Sequence, residues 1–119
     1  KLLSGVIDGY NASCFAYGAT GAGKTFTMLG DQKRPGIMVQ TVAELFQRIS
    51  QIKDKNYRVY LSYLEVYNEN IKDLLTPTGT YLELREDALR GICVAGITEF
   101  ATTSAGETMD LLHRGNLNR

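Results

Sequence analysis

Apolar residues recur along the chain with two different periods, and the changes of period divide it into elements. From Met38 onward, Val42, Leu45, Phe46, Ile49 and Ile52 return at three- and four-residue spacing. This predicts an amphipathic helix, stopped by Lys53-Asp54-Lys55-Asn56. Tyr57 to Tyr67 then moves to period two, with Val59, Leu61 and Tyr63 on one face and Tyr60, Leu64 and Val66 on the other. A strand that is apolar or aromatic on both faces belongs inside a sheet covered on both sides. Upstream, Leu2, Leu3, Val6 and Ile7 mark the last turns of a helix ended by the turn residues Asp8-Gly9-Tyr10-Asn11. Ser13 to Tyr17 reads as a buried strand, and a helix is predicted from Lys24 to about Leu29.

Between the two central helices, Gly30-Asp31-Gln32-Lys33-Arg34-Pro35-Gly36 is a polar insertion punctuated by glycine and proline, expected on the surface. After the strand, Asn68-Glu69-Asn70 makes a turn and Ile71 to Leu75 is expected as a short helix before the Pro77/Gly79 loop. Leu82, Leu84, Ile92, Val94 and Ile97 predict short sheet additions, broken at Glu86-Asp87 and Gly91. Ser104 with Glu107 forms a capping box, opening a helix that carries Met109 and Leu112 and is expected to end before Gly115. There is no internal repeat, low-complexity tract or interdomain linker. The pattern predicts one α/β domain over 1–119, with a mostly buried central sheet and flanking helices.

Composition adds exclusions. Thirteen basic and thirteen acidic residues give a net charge of zero, so bulk charge argues for neither a nucleic acid nor an anionic membrane partner. The apolar runs are far short of the roughly 20 residues that span a bilayer, and the opening KLLSGVIDGYNASC lacks a secretory apolar region. A soluble, intracellular protein is expected. Cys14 and Cys93 have neither redox nor metal spacing and are read as reduced and structural. Asn11-Ala12-Ser13 fits the glycosylation triplet but directly precedes an apolar strand, and no modification is expected there.

The chemistry concentrates in GATGAGKT at 18–25, placed between an apolar run and a helix, as a phosphate-binding P-loop requires. Gly18, Gly21 and Gly23 remove side chains where backbone must wrap a diphosphate, so successive N–H groups turn inward as an anion nest. Ala19, Thr20 and Ala22 complete the loop. Lys24 supplies an ammonium for the β- and γ-phosphates, and the Thr25 hydroxyl is placed for Mg²⁺. His113, the only histidine, falls in a helical last turn and is not assigned as a base. Glu65 and Glu99 lie in strand-like sequence and are not assigned either.

The longer segment GYNASCFAYGATGAGKTFTMLG at 9–30 resembles the kinesin motor domain. So do YLSYLEVYNENIKDLL at 60–75, LREDALRGICVAGITE at 84–99 and GNLNR at 115–119, so the resemblance covers essentially the whole chain. Ala19 and the FAYG approach are similar to the kinesin-8 branch. The resemblance implies a partial P-loop motor head, driven by ATP and acting on microtubules, located in the cytoplasm on the cytoskeleton, including the spindle. It implies that Gly18 to Thr25 bind the phosphates of ATP or ADP with Mg²⁺. It also implies that Phe26 occupies the position beside adenine, where Phe keeps a stacking face without a polar handle. Packing of Phe26 onto the sheet is the other reading. Arg85 and Arg90, in the loop from Arg85 to Gly91, are the expected tubulin contacts, as guanidiniums facing an acidic surface. Glu86 and Asp87 dilute that patch.

The family's NxxSSRSH-like and DxxGxE-like switch segments do not occur in these 119 residues, and the first is expected soon after Arg119. The expectation is therefore the phosphate-binding half of a head, with weak nucleotide binding and little turnover by itself. Two other readings stay open from the residues: a different P-loop ATPase or nucleotide kinase, and a truncated isoform that binds tubulin or another protein without turnover.

Overall fold

The structure is a computed structural model, and it describes residues 2–18, 23–30, 33–77, 79–89 and 91–119, apart from the Thr25 side chain. The chain divides into two compact units, Lys1–Tyr57 and Arg58–Arg119.

The first unit is helical. It contains α1 (Leu2–Ile7), α2 (Lys24–Leu29) and α3 (Ile37–Ser50). The bounds of α2 and α3 fall where periodicity and loop chemistry put them. Along α3 the apolar stripe is half-buried, and the polar face carries Glu44 and Arg48, paired at 2.7 Å. Glu44 precedes Arg48 by one turn, the favourable order, and Arg48 lies in the last turn where the helix end is negative. Arg48 also donates to Ser4 Oγ at 3.0 Å, tying α1 to α3.

Ser13–Tyr17, expected as a buried strand, is irregular and open: Phe15 is 88% exposed and Tyr17 fully so. Among the described residues no strand pairs with it. An extended segment without a hydrogen-bonded neighbour has neither a ladder nor a second layer to cover its faces.

The second unit holds the sheets and one long helix. Its elements are β1 (Val59–Leu61), β2 (Leu64–Tyr67), β3 (Asn70–Asp73), β4 (Glu83–Asp87), β5 (Gly91–Ala95), β6 (Phe100–Thr102) and α4 (Ala105–Leu117). The α/β class stands, but the sheet among the described residues is three antiparallel pairs: β1 with β6, β2 with β3, and β4 with β5. The single strand expected over 57–67 is broken at Ser62-Tyr63. Ser62 turns its hydroxyl to the Thr98 carbonyl at 3.0 Å, and the Tyr63 ring turns onto α4.

Two further expectations change. Ile71–Asp73 is strand, not helix, because Asn68 (φ 50°) and Glu69 (φ 65°) form a left-handed two-residue turn that folds β3 back on β2, pairing Val66 with Ile71. Gly115 does not stop α4 but lies within it, buried. A Cβ there would collide with Tyr63 Cδ2 and lie 2.9 Å from Cε2, so the glycine is a close-approach site rather than a cap. Ser104 caps α4 as expected, Glu107 N–H donating to Ser104 Oγ at 3.1 Å, while the Glu107 carboxylate reaches past the cap to accept from Thr103 N–H at 3.3 Å. Ser104→Ala is expected to destabilise α4 by about 1 kcal/mol, read as faster amide exchange at Glu107 and Thr108.

The core of this unit is Ile71, Leu74, Leu75 and Leu112, with Thr108 buried among them. Gly115→Ala would gain helix propensity but displace the Tyr63 ring, whose hydroxyl donates to Asn116 Oδ1. Net destabilisation of about 1–2 kcal/mol is expected by denaturant titration, since overpacking outweighs the roughly 0.5–1 kcal/mol that Ala brings to a helix. Burial raises the Tyr63 pKa, with Arg119 opposing it, so the phenol stays a neutral donor.

Candidate phosphate-binding site

The phosphate loop is described at its two ends. Gly18 is half-buried at the close of the irregular segment. Gly23 is the residue before α2, at φ 94°, ψ 17°. That left-handed conformation strains any residue with a Cβ, and nothing lies within 4 Å of where a Cβ would stand. Among the described residues it is therefore backbone conformation, not crowding, that demands glycine here.

Gly23 O accepts the first helical bond from Thr27 N–H at 2.9 Å. Gly23 has no side chain with which to cap α2, and the first turn of the helix holds no acidic residue. A first turn without a carboxylate keeps its positive end suited to an anion. Lys24 is exposed in that turn, and Phe26 is 49% exposed. Ala19, Thr20, Gly21, Ala22 and the Thr25 side chain lie outside the described residues, so the structure joins Gly23, Lys24 and Phe26 but not the whole loop.

The insertion that follows α2 has a closed neck. Gly30 (φ 68°) bridges Pro35, and Gly36 N–H donates to Leu29 O at 3.2 Å. A Cβ on Gly36 would collide with the Met28 carbonyl, and one on Gly30 with the Arg34 carbonyl. Gln40 Nε2 donates to Pro35 O at 2.7 Å, fixing the neck to α3. Two glycines thus let the insertion leave the end of α2 and rejoin the chain at the start of α3. A cavity of about 520 Å³ in the same unit is lined among the described residues by Leu2, Val6, Cys14 and Ile37 together with the polar Gln40 and Glu44.

Of the expected tubulin contacts, Arg85 stands exposed in β4, with Nη2 at 3.4 Å from Glu83 Oε2. Both groups are solvated, and such a pair holds an arginine only weakly. Arg90 lies outside the described residues. His113 and Glu99 are exposed, and Glu65 pairs with Arg119 at 3.2 Å. No group of three or more metal-ligating side chains occurs among the described residues, and no helix there is long and apolar enough to cross a membrane.

Sequence reading missed Asp73. It is 5% exposed, and its carboxylate accepts four bonds: Leu75 N–H at 3.0 Å and Thr76 N–H at 3.3 Å on Oδ1, Thr98 N–H at 3.0 Å and Thr98 Oγ1 at 2.8 Å on Oδ2. Burial works to raise its pKa, but the four donors together hold the carboxyl below the usual range. The local signal was an aspartate whose following residues can turn back onto it.

Loop sequence and helix start together define a P-loop type of α/β chain. A family model described as the kinesin motor domain matches residues 1–119, and the chain belongs to that family. It is 57% identical to human "Kinesin-like protein KIF19" across its whole length, and 53% identical over 99% of it to "Kinesin-like protein KIN-8A" of Arabidopsis thaliana. It is 52% identical to chicken "Kinesin-like protein KIF18B". The resemblance to the kinesin-8 branch stands with these relatives. The chain spans 12% of the first, 16% of the second and 15% of the third. A solved structure titled as a fast kinesin, with implications for ATPase mechanism and interactions with microtubules, superposes with a TM-score of 0.93 at 35% identity. That match covers 98% of this chain and 34% of the other.

Proposed function

We propose that residues 1–119 form the phosphate-binding part of an ATP-driven microtubule motor head. The observation that carries this reading is Gly23 in the left-handed conformation, opening a helix with Lys24 exposed in its first turn. The family match supports it, because it runs through the same residues.

In this reading, backbone N–H groups from Gly18 to Gly23, with Ala19, Thr20, Gly21 and Ala22 between, surround the phosphates of ATP or ADP. Lys24 neutralises β- and γ-phosphate oxygens, the Thr25 hydroxyl holds Mg²⁺, and Phe26 offers a face to the base. Bound Mg²⁺ supplies further neutralisation of phosphate charge. The chain's own residues bind and orient the triphosphate, and a preorganised nest lowers the barrier to phosphoryl transfer by meeting charge as it develops. Arg85 and Arg90 serve an acidic tubulin surface, and the location is the microtubule cytoskeleton. The switch segments that sense the γ-phosphate are assigned to sequence beyond these residues.

Calorimetry on the full-length protein with ATP or ADP and magnesium tests the first part. Heat of association with micromolar or tighter affinity is expected, and its absence overturns the reading. Co-sedimentation with microtubules, varied by nucleotide, tests the second, and binding indifferent to both Arg85→Ala and Arg90→Ala removes those two residues from the tubulin surface.

A further inference from the structure

The chain contains two prolines: Pro35 follows Arg34, and Pro77 follows Thr76. Thr76-Pro77 is therefore its single hydroxyl-proline step. It lies where β3 leaves the core and the chain enters a surface loop in which Pro77, Gly79, Thr80 and Tyr81 are all exposed. Thr76 itself is half-buried at that boundary, directly after buried Leu74 and Leu75. Gly79, at φ 79°, lets the loop turn back to Leu82, whose N–H donates to Ile71 O at 2.8 Å.

The Thr76 hydroxyl has a definite role. It donates to Thr98 Oγ1 at 3.1 Å, and Thr98 Oγ1 donates in turn to Asp73 Oδ2 at 2.8 Å. Each hydroxyl has one hydrogen, so the relay runs one way: Thr76 to Thr98 to the Asp73 carboxylate. This clasp joins the end of β3 to the segment between β5 and β6. It holds only while Thr76 can donate.

We propose that Thr76 is a phosphorylation site for a proline-directed serine/threonine kinase, and that the phosphate opens the Asp73–Thr98 clasp. Such kinases accept a residue after the hydroxyl that has no amide hydrogen to satisfy, which Pro77 supplies. In the step, the Thr76 Oγ1–phosphorus bond forms as the bond from the γ-phosphorus of ATP to its bridging oxygen breaks. The hydroxyl proton goes to the kinase base, and ADP leaves.

Three consequences follow from the geometry. Oγ1 no longer carries a hydrogen to give Thr98. The phosphate oxygens compete with Asp73 for the one hydrogen on the Thr98 hydroxyl. A charge of about −1.5 to −2 is placed next to a buried carboxylate whose acceptor positions are already filled. All three act against the clasp, so the 96–99 segment and the Leu75-Thr76-Pro77 stretch loosen together.

The test incubates the full-length protein with a purified cyclin-dependent or mitogen-activated kinase and ATP, maps phosphate by mass spectrometry, and follows amide exchange. Incorporation at Thr76 is expected, lost in Thr76→Ala and reduced at least tenfold in Pro77→Ala, which keeps the hydroxyl. The Thr98 and Thr76 amides are expected to exchange at least tenfold faster after phosphorylation. A synthetic peptide of residues 70–84 serves as the unfolded control. A peptide that is labelled while the folded protein is not overturns the site, since the native loop then withholds Thr76. Full labelling with unchanged protection at Thr98 overturns the clasp opening.

Discussion

Asp73→Ala is expected to destabilise the second unit by about 2–4 kcal/mol, because it leaves one buried and two part-buried backbone amides without their acceptor and removes a fully hydrogen-bonded carboxylate. The groups stranded are the Leu75 and Thr76 amides and the Thr98 amide; the Thr98 hydroxyl can rotate elsewhere. Asp73→Asn is the milder change. Its carbonyl oxygen still accepts from Leu75 and Thr76, but its NH₂ then faces the Thr98 N–H, donor against donor. Roughly half of the alanine effect is expected, on the scale of one unsatisfied amide.

The same residue carries a pH dependence of fixed sign. Its folded pKa lies below the unfolded reference of about 3.9. The stability it contributes is thus fully present above that value and is lost as pH falls through the folded value. The gap in Thr98 amide protection between the native protein and Asp73→Asn is expected to be constant from pH 7 to about 5 and to close below about 4. A gap that widens as the pH falls would contradict this sign.

Lys24→Ala is expected to weaken Mg-ATP binding about 10- to 100-fold, since a hydrogen bond to a charged group is worth roughly 1.5–3 kcal/mol. Lys24→Arg keeps the charge but replaces a compact ammonium with a planar fork, and most of the loss is expected to remain. Calorimetry reads both. Because Lys24 is exposed at the start of α2 and the core lies elsewhere, the melting temperature without nucleotide is expected to stay within about 2 °C of the parent, as for surface substitutions generally. Equal binding by Lys24→Ala and the parent would remove this lysine from the site.

Where local chemistry decides conformation, sequence reading reached the structure directly. α3 runs Ile37–Ser50 because five apolar residues keep helical spacing across it, and α2 begins at Lys24 because the glycine before it accepts a left-handed backbone. The Ser104 cap opened α4 as expected. Elsewhere the local signal was ambiguous. Ile71, Leu74 and Leu75 satisfy a helical spacing, yet the turn at Asn68-Glu69 sends Ile71 back along β2. Gly115 reads as a helix stop, yet a ring from a residue 52 positions earlier needs the room.

Sequence by itself therefore determined the family and where α2, α3 and α4 begin, since helix starts depend on contacts within a few residues. Tertiary structure alone decided which strands pair, why α4 passes through Gly115, and that Asp73, Thr76 and Thr98 form one hydrogen-bonded relay. Thr98 stands 25 residues from Asp73, and no periodicity or propensity encodes a partner at that distance. Such contacts arise only when folding brings distant backbone groups together in a space where each buried donor must find an acceptor.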